Sequence, residues 1–164
     1  GELPTLSDWA DHLTTIFPEA RLKKFIEMRG ADAGQWHRLC ALPAFWVGIC
    51  YDQGSLDAAW DIVKNWDKND RENFRIAAAE DGLNGCVGSI KLIDIAKETI
   101  QISENGLKKR AQASSNRLYS DESLFLDSLK ENIEKRKSSA DDLLEKYHGS
   151  WNGDLTKIFE EYSY

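Results

Sequence analysis

The residues best able to do chemistry lie between positions 19 and 38, where Arg21, Lys23, Lys24, Arg29 and Arg38 stand against Glu19, Glu27 and Asp32. The stretch carries a local charge of +2 in a chain whose net charge is −7. Within it, Arg21 to Arg29 nearly alternates polar and apolar residues and closes on Gly30, which predicts a strand over 21–29. A period of two puts Arg21, Lys23, Phe25, Glu27 and Arg29 on one face, with Leu22, Lys24, Ile26 and Met28 on the other. A carboxylate set between cations suits a site that handles an anionic substrate together with a metal. Arg29 can grip a carboxylate or phosphate with two parallel hydrogen bonds. Glu27, two residues away on the same face, is a hard oxygen donor able to hold Mg²⁺. The more ordinary reading of the same spacing is a solvated face whose ion pairs contribute about 0–1 kcal/mol each. Spacing alone leaves the chemistry open.

The elements that must position these residues are mostly helical. A chain of 164 residues with 41% hydrophobic content, six Trp, six Phe and five Tyr has enough apolar surface for one folded domain. Ser7 is placed to cap a helix with an apolar face of Trp9, Leu13, Ile16 and Phe17, ended by Pro18. Gln35 to Tyr51 is apolar on most sides, as in a buried helix, with Pro43 a kink or a first turn. Ser55 and Asn69-Asp70 open two further helices. The turn-rich break from Asp81 to Gly88 precedes the longest helix, from Ser89, with Ile93, Ala96, Ile100 and Leu107 inward. A polar loop over 111–120 leads to helices around Phe125, Leu129 and Ile133 and around Leu143, Leu144 and Tyr147, the latter with a capping box near Ser139. The end, with Trp151, Ile158, Phe159 and Tyr162, is expected to dock on the body. The expectation is therefore an α+β, predominantly helical chain of about six helices and one short strand, a single domain divided into 1–32 (helix plus strand) and 33–164 (helical body). A lone strand leaves its backbone groups unpaired, so the 21–29 strand requires a partner within the chain or a second copy, giving a possible self-association.

Several functions are disfavoured. The acidic balance argues against nucleic-acid binding. The longest apolar run, Ala41 to Tyr51, is about half of what a membrane span needs. Cys40, Cys50 and Cys86 form no C-x-x-C pair, which fits a reducing compartment and suggests the cytosol. His12, His37 and His148 share no zinc-ligand spacing, and no Walker loop or dinucleotide fingerprint occurs.

Arg21 to Asp32, followed by Trp36 to Gly48, resembles the C-terminal part of the glutamate–cysteine ligases of the plant and alphaproteobacterial type. The likeness continues in Asp8-Trp9, in His12 to Glu19, in Tyr147-His148-Gly149 and in Phe159-Glu160-Glu161, so it spans essentially the whole chain. It implies a catalytic sheet similar to that of glutamine synthetase and an ATP-dependent joining of the γ-carboxylate of glutamate to the amine of cysteine, through a γ-glutamyl phosphate, in the first step of glutathione synthesis. By the same resemblance Glu27 is a Mg²⁺ ligand and Arg29 contacts the transferred phosphate or the glutamate, with Arg21 and Lys23 in electrostatic support. The resemblance also implies that further metal ligands and most of the ATP site lie in segments not contained in these residues, so that this piece alone is inactive. Asp32 and Trp36 are read as turn and core residues. Cys40 is read as a buried small residue, although an internal disulfide regulates plant members of the family. A non-catalytic helical interaction module and the related ergothioneine-pathway ligase remain as alternatives.

Overall fold

A computed structural model describes residues 2–31, 34–113 and 121–163. The chain divides into two compact units, residues 1–33 and 34–164. The α+β, predominantly helical class holds, but the described residues form eight α-helices rather than six, together with two small hairpins.

In the first unit α1 spans Leu6–Thr14. Its N-cap is Thr5, not Ser7: the Thr5 hydroxyl accepts from the Asp8 N–H while the Asp8 carboxylate accepts from the Thr5 N–H, a reciprocal capping box. The helix stops before Ile16 and Phe17, four residues ahead of Pro18. The predicted strand is in fact two, β1 (Ala20–Leu22) and β2 (Ile26–Met28), paired antiparallel with Ala20 opposite Met28, Arg21 opposite Glu27 and Leu22 opposite Ile26. Lys23, Lys24 and Phe25 make the turn, where two adjacent cations are better solvated than in a ladder. The partner that the strand required is thus its own other half.

In the second unit α2 runs from Trp36 to Cys50 with Pro43 inside it. Proline is tolerated there because it lies on the exposed side, where water can take up the carbonyl it leaves unpaired. Ala41, Ala44 and Gly48 recur at helical spacing and, with Ile49, form the buried side. The longest helix, α5 (Leu92–Ala113), buries Ile93, Ile100, Ser103, Gly106 and Leu107. These two helices cross closely at small residues. Ser103, fully buried, donates its hydroxyl to the Phe45 carbonyl at 2.9 Å. Ser55, on α3 (Gln53–Val63), donates to the Ile102 carbonyl at 3.2 Å. The N-cap of α3 is Asp52, whose carboxylate accepts from Ser55 N–H. Ser55 is the buried residue of this helix, whereas its apolar Leu56, Trp60 and Val63 remain exposed.

A short 3₁₀ segment, Glu122–Leu126, leads into α6 (Asp127–Lys135) and brings Leu126 against Leu107 and Ala44, with Phe45, Val47, Phe125 and Leu129 around them. Helix α4 (Lys68–Asp81), capped by Asp67, buries Phe74 and Ala77, and Phe74 stacks on Trp66 at 4.2 Å. The break after α4 holds a second hairpin, β3 (Cys86–Val87) with β4 (Ile90–Lys91). Helix α7 (Ser139–His148) has its capping box on Ser138 and Asp141. The terminal segment meets α7 through Lys146, which pairs with Glu161 of α8 (Lys157–Glu161) at 2.7 Å and lies over the Tyr162 ring. Trp151 is buried and donates Nε1–H to Glu161 at 2.7 Å, whereas Phe159 is 77% exposed. Asp32 and residues 114–120 of the polar loop lie outside the described residues. Trp36, expected in the core, is 75% exposed, because the first residue of a helix has no preceding turn to pack beneath.

Candidate functional site: a cation cluster on the first hairpin

The hairpin register assembles the charged residues. Cross-strand pairing sets Arg21 directly opposite Glu27, so their side chains emerge on one face. Arg21 makes a two-nitrogen contact with Glu27 Oε2, at 2.8 Å from Nε and 2.7 Å from its terminal nitrogen. Lys23 Nζ lies 3.8 Å from the same oxygen. Arg29 approaches the other oxygen, Oε1, at 3.3 Å. Arg21, Lys23, Glu27 and Arg29 are therefore brought together, three cations around one carboxylate, by register rather than by alternation along one strand. The hydrogen bond from Arg21 is the largest influence on the Glu27 carboxyl and holds it below the usual glutamate range, with the charges of Arg21, Lys23 and Arg29 acting the same way. Arg38 belongs to α2 of the second unit and donates to the Ser139 hydroxyl.

Two contributions were not apparent from spacing. The Phe17 ring lies 5.3 Å from Arg29 Cζ, and the Glu19 carbonyl accepts the Arg29 N–H at 2.7 Å. Phe17 looks like one more apolar residue of the first helix; the signal that separates it is Pro18, which disfavours helical backbone in the residue before it.

Net charge decides what this cluster can hold. One carboxylate against three cations leaves +2, which suits a doubly charged anion such as a phosphoryl group. The described residues contain no group of three or more His, Cys, Asp or Glu side chains arranged to hold a metal. Glu27 nevertheless fits one share of a Mg²⁺ site, because Mg²⁺ is commonly held by one or two carboxylates plus substrate phosphates and water. Among the described residues its Oε1 receives the long contact from Arg29, which leaves it lone-pair capacity.

Residues 1–161 match the model of glutamate-cysteine ligase family 2, and the chain belongs to that family. Over all 164 residues it is 43% identical to the chloroplastic glutamate–cysteine ligase of Solanum lycopersicum, 44% to that of Medicago truncatula and 42% to that of Arabidopsis thaliana. It spans 30%, 31% and 30% of their respective lengths. The cytosolic expectation is overturned: these relatives are named as chloroplastic. Unpaired cysteines constrain redox environment, and the cytosol is not the only compartment that keeps thiols reduced. Cys40, Cys50 and Cys86 are free thiols, Cys40 partly buried and the other two exposed. No helix among the described residues is long and apolar enough to cross a membrane.

Proposed function

We propose that this chain contributes the hairpin site of an ATP-dependent ligase that forms γ-glutamylcysteine from glutamate and cysteine, the opening step of glutathione synthesis. The observation that carries the reading is the convergence of Arg21, Lys23 and Arg29 on Glu27 in a chain of the glutamate-cysteine ligase family. Making an amide from an unactivated carboxylate requires a leaving group on the carbonyl carbon. Transfer of a phosphoryl group from ATP to the γ-carboxylate supplies it, and the cysteine amine then displaces phosphate. Negative charge accumulates on the phosphoryl oxygens during transfer, and preorganised cations lower that barrier without reorganising.

Arg29 is the residue assigned to the transferring phosphoryl group or the glutamate. Its guanidinium is part-buried and only loosely held by Glu27, so its N–H donors are available. Arg21 and Lys23 add positive potential. Glu27 orients Arg21 and offers one oxygen to Mg²⁺, which when bound would offset charge on the nucleotide phosphates. One carboxylate cannot organise a complete metal–nucleotide site, so these residues by themselves are expected to be inactive.

The test is Arg29→Ala in the ligase polypeptide that carries this chain, with turnover of ATP, glutamate and cysteine measured beside the melting temperature. Loss of a transition-state donor lowers kcat on the order of 10²–10³-fold with an unchanged melt. Wild-type turnover in that variant would refute the assignment, whereas phosphate release by the 164-residue chain alone above a Glu27→Ala control would refute the expectation that these residues are inactive by themselves.

A further inference from the structure

Arg21 and Arg29 share one carboxylate but are held very differently. Arg21 is fixed by two short contacts to Glu27 Oε2. Arg29 has one long hydrogen bond to Oε1, from a single terminal nitrogen. A guanidinium on so loose a tether would swing about its side-chain torsions, and phosphoryl transfer tolerates little such freedom. The second restraint on Arg29 is the Phe17 ring at 5.3 Å. That ring is 74% exposed, so it does not belong to the core of its unit. Its position follows from the backbone: α1 has ended, Pro18 directs Phe17 away from helical geometry, and the Glu19 carbonyl ties this segment to the Arg29 N–H.

We propose that Phe17 is a positioning residue for Arg29, holding the guanidinium through its ring face while leaving the hydrogen-bond donors free for an anionic substrate. A second carboxylate could fix Arg29 equally well, but it would occupy those donors and cancel the charge the phosphoryl group needs. An aromatic face attracts a cation without accepting its hydrogen bonds in the guanidinium plane. The inference rests on the assignment of Arg29 to the ligase reaction.

Phe17→Leu, Phe17→Tyr and Arg29→Ala are compared in the ligase polypeptide that carries this chain, by initial rates and by the Arg29 Nε–H resonance in ¹⁵N spectra. Phe17→Leu removes the ring but keeps an apolar side chain. It lowers kcat on the order of tenfold, leaves KM for ATP unchanged, and displaces the Arg29 resonance. Phe17→Tyr keeps the ring face and restores turnover to within about twofold of wild type. Wild-type turnover in Phe17→Leu beside an inactive Arg29→Ala overturns the positioning role alone. Equal impairment in Phe17→Leu and a folded Phe17→Tyr also overturns it, since size and not the ring face would then matter. Wild-type turnover in Arg29→Ala overturns the ligase assignment of Arg29, and the positioning role with it.

Discussion

Gly106 sits where α5 crosses α2, and adding one methyl group there tests how tightly the helical body is built. A Cβ at Gly106 would lie 2.8 Å from the Ser55 hydroxyl oxygen and 2.9 Å from the Gly48 carbonyl carbon, and closer still to the Gly48 carbonyl oxygen. Optimal carbon–carbon contact is about 3.5–4.0 Å, so the helices must separate or the backbone must shift. The obstruction is largely backbone and cannot rotate away. Overpacking of this kind costs about 1–3 kcal/mol. Separation also strains the hydrogen bonds from Ser103 to Phe45 and from Ser55 to Ile102, each worth about 1 kcal/mol. Better helix propensity returns about 1 kcal/mol. The net expectation for Gly106→Ala is a loss of about 2–4 kcal/mol, a fall in Tm of roughly 4–16 °C at this chain size. Thermal and urea unfolding of the 164-residue chain, followed by circular dichroism, measures it. Because glycine to alanine in an unobstructed helix is stabilising, a Tm equal to or above wild type would refute the close-crossing argument.

The remaining predictions concern charge and the chain end. The Glu27 carboxyl lies below its ordinary range chiefly through the Arg21 hydrogen bond, so its contribution is present above the unfolded-state pKa and is lost as pH falls through the lower folded value. An NMR titration of Glu27 should give a midpoint below that of an exposed glutamate, and Arg21→Ala should raise it; an unchanged midpoint in Arg21→Ala would contradict the pairing. Trp151→Phe deletes the hydrogen bond to Glu161 and should cost about 1 kcal/mol. Hydrogen exchange should then quicken over 157–162 with α5 unaffected, whereas equal exchange in both proteins would show that the terminal helix is held by other contacts.

Helical periodicity made the body legible, because α2, α5 and α7 bury apolar residues or carry capping signals at regular spacing. It failed where a small polar residue outcompeted large apolar ones. On α3, Leu56 and Trp60 look like the inward face, yet Ser55 is buried, since only a small side chain able to bond a carbonyl fits beside α5. Helix starts were misplaced by a few residues at Thr5, Asp52 and Asp67 because several capping side chains lie close together and the backbone selects among them. At the site, alternation correctly grouped Arg21, Lys23, Glu27 and Arg29 on one face, but mistook a hairpin for a strand: short antiparallel arms joined by a polar turn give nearly the same pattern as one uninterrupted strand.

The sequence by itself determined the class of fold, the charged group at 21–29 and the family likeness, because composition, periodicity and motif are properties of the order of residues. Only the tertiary structure decided that Arg21 locks onto Glu27 while Arg29 makes a longer bond to the same carboxylate and lies over the Phe17 ring, and that Gly48 and Gly106 let two helices meet. Those depend on register and on distances of a few ångströms between residues far apart or across a turn, where one residue of slip in a hairpin reverses every side chain and one methyl group separates a close crossing from a clash.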